Sequence, residues 1–374
     1  SRMNPIFNLY KIKYNKMNEL LSMDIAPVFD PKKPVNVYIS LDKLFKDLMK
    51  KPIDDKVRSE MDDRKIFEPI ANLLNLAAHY RNFFTKNKLY SRIILFGSVP
   101  DKYDNLVNRL LREDYRKNLE GVFNQPEHIY IKNLLCESIP FAKTIVEYIE
   151  DVHLVITNEI EPSLVPRILM DTINDGVNII ITKDPYEYQY VNYDFTILRP
   201  KKEKSYLINK GNLMDVLKKE NECLNTNSVH PSFYPFILSL LGDRFRNISK
   251  IKKVGLSTIL KTICDAQSKD LIGTHDVNIS LLSTIINPTY VHRVDNNFSI
   301  IDLETQFRTT VGVRSYDILQ QINNKFDNTS LRLINDRYFA EYPIYLIELT
   351  EAIGIKRKNM NKVENKKKKN LFSI

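Results

Sequence analysis

Three carboxylates stand at positions where side chains often do chemistry. Asp184 closes the apolar run "NIIITKD", Glu161 precedes a proline in "IEPSL", and Asp243 follows a glycine in "LLGDRF". Carboxylate oxygens gathered at strand ends are the ligands a hard divalent cation requires, and two such ions can activate water against a phosphate. Each acid also has a local reading. Asp184 suits a turn or a helix cap, Asp243 the head of an Asx-turn, and Glu161 a solvated loop. A second set is cationic: "GDRFRNISKIKKVGLST" carries Arg244, Arg246, Lys250, Lys252 and Lys253 ahead of Gly255, Ser257 and Thr258. Lysines beside a helix start, where free N–H groups face outward, make a phosphate grip that needs no hydrolysis. The alternative is a solvated basic turn. Upstream, Arg109, Arg112, Arg116 and Lys117 form another basic stretch, with Tyr115 placed to stack on a base. Its alternative is a solvated helix whose arginines pair with Glu113 and Asp114.

The elements that must position these groups alternate. "VNVYISL" reads as a strand entering the helix "DKLFKDLMKK", and a longer helical pattern, "IFEPIANLLNLAAHYRNFFTKN", leads to the apolar strand "SRIILFGS". "YDNLVNRLLREDYRKNLEGVF" reads as one basic-sided helix, followed by the strand "DVHLVIT", the helix "SLVPRILMDTIND" and the strand "VNIIITKD". Strands alternating with helices predict an α/β fold with a mostly parallel central sheet flanked by helices. In such sheets function gathers beyond the carboxyl ends of the strands, here Ser40, Gly97, the segment around Glu161, and Asp184. From Pro231 helical patterns dominate. The expected organisation is an N-terminal extension over 1–34, an α/β domain over 35–230, a helical domain over 231–353 and a basic, disordered tail over 354–374.

The chain has 374 residues, 43% hydrophobic and 10% aromatic, enough for a substantial core. Its net charge of +9 is concentrated: the last 19 residues contribute +7, leaving +2 for the preceding 355. Any anion-binding role of the body must therefore rest on local patches. No apolar run approaches membrane-spanning length, the first residues lack the pattern of a secretory signal, and the expected location is the cytoplasm, or the host cytoplasm for a viral protein. Cys136, Cys223 and Cys264 are far apart and have no metal-ligand spacing, so no zinc site is expected.

Taken in order, these segments resemble the 5′-nuclease family: flap endonucleases, phage 5′-to-3′ exonucleases and the 5′-nuclease domain of bacterial DNA polymerases. "FILSLLGDRFRNISKIKKVGLSTILKTI" is similar to the family's helix-three-turn-helix hairpin, with Gly242, Asp243, Asn247, Ile248, Val254 and Gly255 in place. A family aspartate falls on Arg246, and two hairpin glycines fall on Lys250 and Lys253. "NIIITKDPYEYQY" keeps Thr182, Asp184 and Gln189 of a strand-end motif but has Tyr186 for its second aspartate. "EPSL" keeps Glu161, with Ser163 and Leu164 for two further acids. "NVYISLDKLF" has Ser40, two residues before Asp42, for the acid of the first strand, and "IILFGS" has Gly97 for that of the second. "NNFSIIDLETQ" is similar to a downstream phage segment, extending the resemblance to roughly residues 35–305.

The resemblance implies a PIN/flap-endonuclease-like fold that binds DNA through the hairpin, where family members also hold K⁺. It further implies a family site for two Mg²⁺ of which only Glu161, Asp184 and Asp243 remain. Leu164, Gly97 and Tyr186 offer no inner-sphere side-chain oxygen ligand of the kind Mg²⁺ takes. The expected function is thus a catalytically silent or strongly impaired homologue, without Mg²⁺ as cofactor, that binds duplex or branched DNA within a larger nucleic-acid-processing assembly. Two alternatives stand beside it: an active, divergent Mg²⁺-dependent exonuclease or flap endonuclease, and an assembly subunit that does not bind DNA. The C-terminal "LFSI" offers an analogy with clamp-binding peptides.

Overall fold

The computed structural model describes residues 29–49, 67–100, 103, 106–147, 151–200, 206–218, 229–268, 288–310 and 315–323. The expected extension over 1–34 lies almost wholly outside these residues, and the tail over 354–374, the part of the expected helical domain beyond 323 and Cys223 lie wholly outside them.

Six strands form one sheet in the order β3-β2-β1-β4-β5-β6: β1 Val35–Ser40, β2 Ser91–Ser98, β3 Val152–Thr157, β4 Val177–Ile181, β5 Thr196–Arg199 and β6 Tyr206–Ile208. All neighbours are parallel except β5 and β6. Every residue of β1 is buried, as expected of a central parallel strand covered on both faces. The chain runs from β1 outward through β2 to β3, then returns to the other side of β1 as β4. The crevice beyond β1 and β4 is therefore the switch point where open sheets of this kind hold their ligands.

Helices α1 (Asp42–Met49), α2 (Phe67–Lys86) and α3 (Pro126–Val146) follow the first strands, and α2 and α3 pack together and against β2 and β3. The later half contributes α4 (Tyr234–Leu241), α5 (Leu256–Ser268), α6 (Val291–Ile301), α7 (Leu303–Thr310) and α8 (Ser315–Asn323). α4 lies on α6 and on the 3₁₀ run Pro185–Tyr193 just beyond β4. α8 covers the free edge of β3, where the Gln321 amide accepts from the Ile156 N–H at 2.9 Å and donates to the Ile156 carbonyl at 3.0 Å. A side chain thus supplies both bonds that a neighbouring strand would make.

Two elements depart from their sequence patterns. The helix expected over 163–175 is reduced to a 3₁₀ turn, Pro162–Leu164, and the short helix Val165–Leu169. The expected basic helix is broken into Asn108–Leu111 and Lys117–Phe123, separated by a turn in which Arg116 has φ 54°. The turn drives Tyr115 and Arg116 inward, and both are fully buried. Their partners, described next, outweigh the helical propensity of the stretch.

Candidate functional site

At the switch point the chain assembles five carboxyl groups around two arginines. β1 ends in Ser40, and Asp42 opens α1; Thr182 and Asp184 follow β4; Glu187 lies in the 3₁₀ run beyond it; Glu161 follows β3. Asp243 and Arg246 come from the hairpin turn between α4 and α5, and Arg116 from the broken basic segment.

The Arg246 guanidinium donates to Asp184 Oδ2 at 2.7 Å, Asp243 Oδ2 at 2.8 Å, Ser163 Oγ at 2.7 Å and Glu161 Oε1 at 3.2 Å. Its carbon lies 3.7 Å from the centroid of the Tyr186 ring. Planar edges on carboxylates and a face on an aromatic ring are the two contacts guanidinium geometry favours. Arg116 repeats the arrangement. It donates to Asp42 Oδ2 at 2.7 Å and to Glu161 Oε1, with Phe245 and Tyr103 at 4.6 and 5.0 Å from its guanidinium carbon. Glu161 bridges the two arginines and also accepts from the Tyr115 hydroxyl at 2.6 Å. Both arginines are 0% exposed.

Burial pushes the Glu161 carboxyl up, but Arg116 and Arg246 outweigh it and hold the group below the usual carboxylate range. Asp184 behaves likewise: burial opposes ionisation, and the Arg246 charge overcomes it. For Asp42 burial prevails over Arg116, with the Glu161 charge adding to the upward shift. Glu187 is raised well above the ordinary range by burial and then by the nearby Asp184 charge. Its Oε1 accepts from Ser40 Oγ at 2.5 Å and Thr182 Oγ1 at 3.0 Å, and Oε2 has no partner among the described residues. Both arginines stay cationic: burial opposes their charge, and the acids outweigh it.

These residues do not fit a divalent cation. The space between Glu161, Asp184, Asp243 and Ser163 is spanned by guanidinium N–H groups, and among the described residues no three His, Cys, Asp or Glu side chains converge to hold a metal ion. Mg²⁺ would need oxygens at about 2.0–2.1 Å in octahedral array, a point the nitrogens of Arg246 already occupy.

All but one of the positions at which the family resemblance expects a further acid contribute to this network. Arg246 supplies the charge and Tyr186 the ring beneath it, Ser163 accepts one of its N–H bonds, and Ser40 donates to Glu187. Gly97 makes room: a Cβ there would sit 3.1 Å from Asp42 Oδ1 and 3.1 Å from Leu41 Cβ. Asp42 also accepts from the Ser98 N–H at 2.8 Å, which fixes it toward Arg116. Leu164 is the exception, a core residue with no exposed surface.

Glu161, Asp184 and Asp243 thus converge, but on arginine. The local reading of Asp184 and Asp243 holds as well, since Asp184 Oδ1 accepts from the Tyr186 N–H and Asp243 Oδ1 from the Arg246 N–H. DNA contact through Arg116 and Arg246 needs correcting: both are enclosed by acids and rings, with no surface for a phosphate. Tyr115 is likewise buried and offers no face to a base. Arg109 pairs with Glu120 and Arg112 with Asp114, while Lys117 is exposed. Asp42 and Glu187 are the members that the reading of the sequence left out of the site. A signal was present for Asp42, which stands at the carboxyl end of an apolar strand only two residues past Ser40.

The hairpin itself is built on Gly242, whose φ is 73° and whose missing Cβ would lie 2.5 Å from the Ile248 carbonyl oxygen. Asp243 and Ile248 exchange backbone bonds across the turn at 2.9 and 2.8 Å. Lys253 has φ 64°, a left-handed backbone. Arg244, Lys250, Lys252, Lys253, Ser257 and Thr258 are exposed, and a Cβ on Gly255 would meet open space.

No protein-family model and no curated protein matches the chain. Among solved structures it is similar to a pseudo-enzyme–product complex of the bacteriophage T5 flap endonuclease with DNA and metal ions, at 11% identity and a TM-score of 0.49, covering 77% of this chain and 98% of that one. The T5 5′-exonuclease with bound zinc gives 12% identity, a TM-score of 0.49 and coverage of 76% and 99%. The catalytic core of Rad2 in complex with DNA substrate gives 11%, 0.40, and 81% and 98%. Likeness of this degree assigns no role to any residue here.

Proposed function

We propose that this protein is a 5′-nuclease homologue that grips duplex or branched DNA without cutting it. The observation that carries the reading is how its basic side chains are sorted. Arg116 and Arg246 are spent inside the fold on the acids a nuclease would present to metal ions, whereas Arg244, Lys250, Lys252 and Lys253 stand outside on the hairpin. The interior set removes what two-metal hydrolysis requires. The exterior set keeps what phosphate binding requires, cations beside the exposed start of α5. A protein that holds DNA and leaves it intact acts through others, which makes it a subunit of a larger nucleic-acid-processing assembly.

The test pairs two measurements on one preparation. Duplex binding is expected, weakening steeply with salt, and flapped or nicked duplex incubated with Mg²⁺ or Mn²⁺ is expected to give no more product than the metal-free control. Metal-dependent cleavage that disappears in Asp184→Asn would establish the active-enzyme reading instead. Absence of salt-sensitive DNA binding would favour an assembly subunit with no DNA affinity.

A further inference from the structure

The broken basic segment is a strap fastened across the buried cluster at many points. Its Val107 N–H donates to the Glu159 carbonyl at 2.8 Å, and Asn108 Nδ2 donates to Gln306 Oε1 at 2.7 Å. Arg112 donates to Asn297 Oδ1 at 2.9 Å, while Asn297 Nδ2 donates to the carbonyls of Ser239, at the end of α4, and Ser249, in the hairpin, at 2.9 and 3.3 Å. The strap then meets the hairpin turn directly. Asn247 Nδ2 donates to the Asp114 carbonyl at 2.7 Å, the Arg116 N–H to the Arg246 carbonyl at 3.2 Å, and Asn118 Nδ2 to the Arg244 carbonyl at 2.7 Å. Beneath these bonds lie the Arg116 ion pairs and the packed rings of Phe245 and Tyr103.

The consequence is topological. Asp42, Glu161, Asp184 and Glu187 are at most 4% exposed and both arginines 0%, so among the described residues no path leads a nucleic-acid end to the carboxyl ends of β1 and β4. Opening a path would break buried ion pairs on both sides of Arg116 and strand charges in the interior, which is far costlier than parting a solvated loop. What remains for a nucleic acid is the outer surface, where the Asn118–Arg244 bond ties Lys117 of the strap to the hairpin cations.

We infer that the DNA ligand is continuous duplex, held by its phosphates from outside, and that neither a 5′ end nor a single-stranded flap contributes to binding. This rests on the DNA-gripping reading above and sharpens its substrate class. Fluorescence anisotropy on the full chain decides it, using four ligands of equal duplex length: a dumbbell closed at both ends, a nicked duplex, a 5′-flapped duplex, and the same flap with its 5′ end blocked by biotin–streptavidin. The expected result is affinities within about threefold of one another with a common salt slope. A larger preference for the nicked or flapped duplex, or a loss on blocking the flap, overturns end-independence while leaving DNA binding in place. No binding to any of the four overturns the DNA-binding reading and this inference with it.

Discussion

Arg244 and Arg246 are two residues apart on one turn, and one is exposed while the other has no exposed surface. Arg116 and Lys117 are adjacent and differ in the same way. Charge alone therefore says little about a basic residue's work in this chain. The inner arginines have aromatic faces and fixed acid partners; among them Arg246 reaches Asp184, Asp243 and Glu161 at once. The outer cations stand on a turn whose shape is set by Gly242 and by the Asp243–Ile248 bridge, without their help. The inner set is expected to govern stability and the outer set affinity.

Removing one inner arginine should give the largest effect. Arg246→Ala leaves Asp184 and Glu161 buried without their countercharge, and equilibrium denaturation should show a loss of about 3–5 kcal/mol. Arg246→Lys should recover only part of this, because a point ammonium cannot span four acceptors. Reversing the outer set with Lys250→Glu, Lys252→Glu and Lys253→Glu should lower duplex affinity by tenfold or more and flatten the salt slope by about 3, at nearly unchanged unfolding free energy. A stability loss in that triple variant as large as that of Arg246→Ala would erase the distinction.

The pH dependence sharpens the comparison within the cluster. Glu161 and Asp184 have depressed folded-state values, so their contribution is present above the ordinary carboxylate range and is lost as pH falls through those values. Glu187 is raised, so its contribution is full below the ordinary glutamate range and is lost as pH rises toward its folded value. Glu187→Gln should therefore abolish part of the stability decline that sets in as pH rises above the ordinary glutamate range while leaving the acid limb intact, as read by thermal unfolding at a series of pH values. The smallest effect is expected at Lys253. Its left-handed backbone is unfavourable for a side chain, so Lys253→Gly should raise stability by up to about 1 kcal/mol while weakening DNA binding.

Much of the scaffold was legible because parallel strands announce themselves as apolar runs: β1, β2, β3 and β4 all lie within the segments read as strands. The short β5 and β6 lie among mixed residues and carry no such run. The broken helix was not legible, since local propensity across 108–123 favours a continuous helix and the break is set by partners far along the chain. The fate of Arg246 was hidden for a related reason. "DRFRN" reads as a polar turn, and only the fold brings Glu161, Asp184 and Tyr186 around its second arginine. The one local hint is an aromatic residue directly before each buried arginine, Tyr115 before Arg116 and Phe245 before Arg246.

The ring of Tyr186 beneath Arg246 also bears on the routes by which such a site can change. An aspartate at 186 beside Arg246 would add another acid to a buried cluster already rich in them, and an aspartate at 246 above Tyr186 would remove the cation while leaving the ring without its charge. The two positions are compatible chiefly as a pair, so neither can be exchanged for an acid alone without passing through a less stable protein. Introducing a carboxylate at one position at a time is therefore uphill at the first step, whichever position comes first.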